Sequence, residues 1–160
     1  CAYDYYPNNL KQEFFNLIKR ENNKCGIVMQ DIPKTLKGNW FHESANEEYV
    51  VNWNVYLAFV NENDYPDVQA VSIAGFITDP SKYKFIPKTS GTTNREFSQV
   101  TNDGKIYCYQ PESVGKENDK IPTGKILVQL TSDTSLKIEH QTGSCKSSES
   151  FSNPEIYNRW

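Results

Sequence analysis

A chain of 160 residues with a formal net charge of −3 and a pI near 5.4 is long enough to bury a core of its own, and it has no basic excess to direct it to nucleic acid or an anionic membrane surface. Aromatic residues make up 13%, ten of them Tyr, against a single Met, a balance that suits strands better than helices. No window approaches the roughly 18 apolar residues of a membrane-spanning helix, and no charged-then-apolar signal peptide is present.

The chain opens on Cys1 rather than Met, which points to a signal peptide or other upstream segment already removed. Four cysteines, Cys1, Cys25, Cys108 and Cys145, fall in no C-x-x-C or C-x-x-H pair, so a zinc site of the usual spacing is disfavoured. An even number suits disulfides in an exported protein. Of the possible pairings, locality favours Cys1–Cys25, tying the start of the chain across the first helix, and Cys108–Cys145, clipping two later strands. A rival reading acylates Cys1 as in a bacterial-type lipoprotein, giving a lipid-anchored protein with an odd cysteine.

After Pro7, Leu10, Phe14, Leu17 and Ile18 recur at helical spacing and predict a helix over about residues 8–21. Asn8 or Asn9 is the expected cap, with Lys19 and Arg20 at the negative end of the dipole and Asn22-Asn23 as the stop. Its apolar face should lie over a sheet or plug a barrel end. From Cys25 the period becomes two. Short strands are expected over Gly26 to Gln30 and Leu36 to Glu43. A long strand follows from Tyr49 to Val60, with Val51, Trp53, Val55, Leu57 and Phe59 on one face and Asn52, Asn54 and Tyr56 on the other. Val68 to Ile77 reads as its antiparallel partner, and Tyr83 to Ile86 as a further strand before the polar loop Lys88 to Thr93.

Asn102-Asp103-Gly104 then predicts a hairpin joining Phe97–Val100 to Ile106–Tyr109, because Asp-Gly accepts the positive φ of a tight turn. Gln110 to Pro122 reads as an exposed loop. Gly124 to Cys145 is the clearest hairpin: Ile126, Val128 and Leu130 alternate, Ser132 to Ser135 turn the chain, and Leu136 and Ile138 alternate back. A Ser-rich turn, Lys146 to Ser152, leads to a tail carrying Phe151, Tyr157 and Trp160 that is expected to dock on the surface. The fold class is therefore all-β and mostly antiparallel: a single domain over 1–160, built as a barrel or sandwich of about eight to ten short strands with the N-terminal helix packed on it. Its β core spans about 25–142, and its tail is 146–160.

The chemistry is less legible. His42 and His140, beside Glu43 and Glu139, are weak candidates for a metal or acid/base site, although isolated histidines at strand ends are more often hydrogen-bonded surface groups. There is no G-x-S-x-G serine, no glycine-rich phosphate loop and no calcium loop, so no cofactor is indicated. Glu43, Glu47, Glu48, Asp64 and Glu139 could supply a carboxylate pair for hydrolysis. Trp40, Trp53, Tyr56, Tyr107 and Tyr109 are the candidate ligand-binding aromatics, able to stack on sugars or apolar ligands, with core filling as the alternative.

The blocks Cys25-Gly26, Gln30-Asp31, Gly38-Asn39-Trp40-Phe41, Ile106-Tyr107-Cys108-Tyr109, Gly124–Leu130 and Leu136–Gln141 resemble, in order, those of a group of uncharacterised secreted microbial proteins. That resemblance implies export, one compact domain and four paired cysteines, and no activity. Gly38 and Trp40 also resemble the G-x-W signature that opens the first barrel strand of lipocalins, whose Trp closes one barrel end. Departing from that pattern, the main helix precedes the strands here, and Thr78-Asp79-Pro80 only half matches the later T-D-Y motif.

Together these observations favour a secreted, disulfide-stabilised β-domain acting as a binding or structural module, through self-assembly or through an extracellular protein or glycan, with neither nucleic-acid partner nor membrane span. Binding is favoured over catalysis. The alternatives are a lipocalin-like carrier of a small hydrophobic ligand, with Trp40 and Trp53 lining its cavity, and a carboxylate-based hydrolase.

Overall fold

The computed structural model describes residues 6–18, 30–45, 53–63, 65–114 and 121–159. The expected strand at residues 26–29 and the pairing of Cys1 with Cys25 lie outside them. Helix α1 (Asn8–Leu17) starts one residue earlier than a cap at Asn8 would allow: Pro7 is its N-cap, with no side-chain cap bond. Leu10, Phe14 and Ile18 of its apolar stripe are half-buried, and Leu17 is exposed. Ile18 is already extended and caps the helix, and Lys19, Arg20 and Asn22-Asn23 lie outside the described residues.

Among the described residues, eight antiparallel strands form one sheet curled into a nearly closed barrel: β1 (Gly38–His42), β2 (Tyr56–Asn61), β3 (Gln69–Ile73), β4 (Ser81–Phe85), β5 (Tyr107–Tyr109), β6 (Lys125–Leu130), β7 (Ser135–Gln141) and β8 (Glu155–Asn158), in the order β4-β3-β2-β1-β8-β7-β6-β5. Alternation decides which side chains enter. Trp40, Leu57, Phe59, Val71, Ile73, Tyr83, Phe85, Ile126, Val128, Leu130, Leu136 and Ile138 all join one buried cluster. The proposed long strand is shorter than its pattern, because Trp53–Val55 forms a 3₁₀ turn before β2. The inward parity of Val55, Leu57 and Phe59 nevertheless holds.

Two expectations give way to tertiary pairing. Asp103-Gly104 does turn the chain, with Gly104 at φ +78° and Asp103 Oδ1 accepting the Lys105 N–H at 3.1 Å, but its flanks do not pair with each other. Phe97–Gln99 is a 3₁₀ turn and β5 pairs with β6, Cys108 opposite Leu127. Phe97 and Val100, both fully buried, enter the core at a helical spacing of three, where a strand would put them on opposite faces. The second correction is at the C-terminus. Residues 155–158, read as part of a surface tail, form β8 between β1 and β7, and Tyr157 is fully buried opposite His42 and Leu136.

The segment from residue 142 to 154 is a strap across the outer wall of β5, β6 and β7. Cys145 is bonded to Cys108 with the Cα atoms 5.9 Å apart, Glu139 Oε2 accepts the Ser152 N–H at 2.8 Å, and the Gln141 amide donates to the Ser150 carbonyl at 3.0 Å. Beneath it Lys125 Nζ meets Glu149 Oε2 at 2.5 Å, with 3% and 7% of the two side chains exposed. Leu127 is fully buried there too, so β6 is covered on both faces.

The remaining gap, between β4 and β5, is closed mainly by irregular segments and side chains. The Glu112 N–H donates to the Lys84 carbonyl at 2.8 Å, and Glu112 Oε2 accepts the Ile86 N–H at 3.1 Å. Asn94, 1% exposed, is the centre of the seam. Its N–H donates to the Cys108 carbonyl at 2.9 Å, and its own carbonyl accepts the Lys88 N–H at 2.7 Å. Its amide accepts from the Gln110 N–H at 2.8 Å and donates to Gln110 O at 3.1 Å and to Glu112 Oε1 at 2.9 Å. Its φ of +51° is a left-handed conformation that Asn tolerates better than most residues.

Asn94→Ala strands buried polar groups and keeps the backbone strain, so it should cost about 3 kcal/mol in urea unfolding; a midpoint unchanged from the parent would show that the seam closes without it. Burial alone would raise the Glu149 carboxyl, but hydrogen bonds from Lys125 and the Lys146 N–H, with both lysine charges, hold it below its ordinary 4.5. A depressed folded pKa gives stability that is present above that value and lost as pH falls through the folded one. Glu149→Gln should therefore be less stable than the parent at pH 7 and show a flatter decline in unfolding midpoint below pH 4.5. Parallel pH profiles for the two proteins would refute this.

Candidate functional site

A cleft of about 640 Å³ opens where β4 faces residues 111–114 and 121–123. Its position follows from the seam. Strands β4 and β5 are not joined by a continuous ladder, so the wall there is made of Thr78 to Lys84 on one side and two irregular proline-bearing segments on the other. Thr123 fastens the two sides, its carbonyl accepting the Tyr83 hydroxyl at 2.9 Å and lying 3.1 Å from His140 Nε2. A carbonyl only accepts, so Nε2 is the donor in this contact. Burial raises the Tyr83 phenol above its ordinary value, keeping it a neutral donor.

Gly124 makes this approach possible. At φ +85°, a Cβ there would fall 2.5 Å from His140 Nε2 and 2.5 Å from the Gln141 carbonyl. Asp79, Lys82, Lys84 and Glu112 bring charge to the cleft, Ser81 and Thr78 hydroxyls, and Pro80, Pro111, Pro122 and Ile121 apolar surface. Lys82 is paired to Glu62 at 2.9 Å.

The histidines do not meet. His42 lies opposite Tyr157, which lies opposite Leu136, and His140 is four residues beyond Leu136, roughly 13 Å along the strand. His42 is 7% exposed and stacks on Phe76 at 4.0 Å. Its Nδ1 accepts the Ser44 N–H at 3.2 Å and lies 2.7 Å from Ser44 Oγ, while Nε2 lies 3.1 Å from Glu155 Oε2. Serine, imidazole and carboxylate in a row resemble a nucleophile relay, but the neighbouring amides are spent. Ser44 donates to the ring, Glu43 to the Ile156 carbonyl and Ala45 to the His42 carbonyl, which leaves none of the three to stabilise an oxyanion. The arrangement ties the turn after β1 to β8.

The aromatic candidates divide between core and wall. Trp40 and Tyr109 are fully buried, and Tyr109 packs at 5.1–6.2 Å from Phe59, Phe85 and Phe97. Burial, with Tyr107 and Glu96 nearby, holds its phenol well above the ordinary value. Tyr107, 5% exposed, donates to Asp103 Oδ2 at 2.9 Å, and burial with that carboxylate pushes it up to about 12. Tyr56 is half-buried against the edge of Phe41, and the Trp53 side chain lies outside the described structure. Trp40, Tyr56, Tyr107 and Tyr109 do not line the cleft.

Of the carboxylate candidates, neither Glu43 nor Glu139 lines the cleft, and Glu47, Glu48 and Asp64 lie outside the described residues. Among the described residues the one grouping of possible metal ligands is Cys108, Cys145 and Glu149, whose sulfurs are bonded to each other and whose carboxylate holds Lys125. The cleft residues Asp79, Lys82, Lys84, Glu112 and Thr123 were missed from sequence because they sit in loops or on outer strand faces. The prolines at 80, 111 and 122, which flank strands, were the only available signal. No protein-family model, curated protein or solved structure matches this chain.

Gly124→Ala should cost at least about 2 kcal/mol, from left-handed strain and backbone crowding together, and should displace the His140 ring resonances in an NMR spectrum. An undisturbed His140 spectrum and an unchanged unfolding midpoint would show that the close approach is dispensable.

Proposed function

We propose that this chain is an exported, disulfide-stabilised binding module that takes a small ligand in the cleft beside β4. The observation that carries the reading is the cleft itself: its volume of about 640 Å³ lies inside the range of roughly 300–1,000 Å³ typical of small-molecule sites, and charged, hydroxyl and apolar groups line it together. The Cys108–Cys145 bond supports an oxidising compartment, and no described helix is long and apolar enough to cross a membrane.

The side chains on the barrel axis weigh against a hydrophobic carrier, because Trp40, Phe59, Tyr83, Phe85, Phe97, Tyr109 and Tyr157 occupy the interior a greasy ligand would need. Assembly by strand addition also finds little support. Edge strand β4 is engaged by Glu112 through Lys84, and edge strand β5 by Thr93 and Asn94 through Cys108.

Ser113 is exposed on the cleft rim, so Ser113→Trp should fill the site without touching the core. A small molecule found by native mass spectrometry on the protein isolated from its source should be absent from Ser113→Trp, with unfolding unchanged. A ligand retained by that variant would move the site elsewhere.

A further inference from the structure

We infer that the ligand of this cleft is a neutral carbohydrate, a short chain of sugar rings; the inference rests on the binding site proposed above. Among the described residues the charges lining the cleft balance, Asp79 and Glu112 against Lys82 and Lys84. Three of them are already engaged: Lys82 is paired to Glu62, Glu112 accepts from Ile86 and Asn94, and Lys84 makes an interaction of its own. Among the described residues no arginine lines the cleft to grip a phosphate or carboxylate in a bidentate fork. An organic cation would need open aromatic faces, and the larger ring here, Tyr83, is 2% exposed.

A purely apolar ligand is equally ill-suited. It would strip water from Asp79 and the cleft hydroxyls and return no hydrogen bond, at a cost of about 1–3 kcal/mol for each group left unpaired. A sugar ring offers both surfaces at once. Its C–H face suits the flat sides of Pro80, Pro111, Pro122 and Ile121, the last 46% exposed. Its hydroxyls both donate and accept, which matches a carboxylate and hydroxyls set around the same rim. Two further polar residues line the cleft: His140, whose Nε2 lies 3.1 Å from the Thr123 carbonyl, and Ser81, whose Oγ has no protein partner.

The test is a titration of the whole chain with maltotriose, cellotriose and tri-N-acetylchitotriose, followed by amide and His140 ring shifts in NMR spectra, with laurate, inorganic phosphate and choline as comparison probes. At least one trisaccharide should shift residues 78–84, Ser113, Thr123 and His140, and Asp79→Ala and Ser113→Trp should each weaken it about tenfold or more while leaving unfolding unchanged. If a comparison probe shifts these residues and no sugar does, the carbohydrate assignment is wrong and the cleft remains a binding site. If none of the six probes shifts them, the carbohydrate assignment fails and the proposed site loses its support as well. Sugar shifts that survive in both variants would place any sugar binding outside the cleft.

Discussion

The two ends of the β-barrel meet where the guanidinium of Arg159 lies 3.9 Å over the ring of Trp40. The same group donates to the Ile32 carbonyl at 3.2 Å and the Lys37 carbonyl at 3.1 Å, closing the turn that leads into β1. Trp40 Nε1 donates to the Leu36 carbonyl at 2.9 Å, so indole and guanidinium are both anchored to that turn. Burial draws the Arg159 pKa below its ordinary value, with Asp31 acting the other way, and the planar cation stays charged on the indole face. Gly38 belongs to this constraint. At φ +123° it lets Asp31 come within 2.4 Å of where a Cβ would stand, and Asp31 in turn accepts the Asn39 N–H at 2.9 Å. With Arg159 held there, residues 155–158 must lie between β1 and β7, and the sheet can close on that side by backbone pairing.

The opposite side closes differently, and the cleft results from that difference. Between β1 and β8 the ladder brings the walls to normal strand spacing. Between β4 and β5 the joint runs through the Asn94 amide, the Glu112 carboxylate and the Tyr83 hydroxyl, which span more space than a ladder does. The chain can place irregular, proline-bearing segments there without leaving backbone groups unpaired, and rigid strands on either side fix their positions. That is the usual setting of a binding surface: loops presented by a scaffold that does not move.

The strap accounts for the burial pattern of β6, in which Lys125, Ile126, Leu127 and Val128 are all buried although only alternate residues face the core. Its disulfide, its buried ion pair and its bonds to Glu139 and Gln141 fall on three neighbouring strands, so it clamps the wall as a unit. A buried lysine is tolerable only with such a partner, because removing the charge from water costs several kcal/mol, roughly, unless an opposite charge and hydrogen bonds replace the solvent.

What the sequence determined by itself was local. The alternation of Ile126, Val128 and Leu130 with Leu136 and Ile138, the turn at residues 132–135 and the inward parity of Leu57 and Phe59 follow from a side-chain period of two, and they are what the barrel uses. The Cys108–Cys145 bond was legible for a similar reason, as a nearby pairing among few possibilities. The partners of each strand were decided by the tertiary structure. Asp103-Gly104 encodes a turn but not the pairing of β5 with β6, and Glu155–Asn158 is too short to announce that it completes a barrel. The cleft was hidden too, because proximity of Tyr83, Glu112 and Thr123 exists only after the sheet has curled and brought distant segments together. A strand's pattern records which face meets the core, and closure alone sets what lies across the gap.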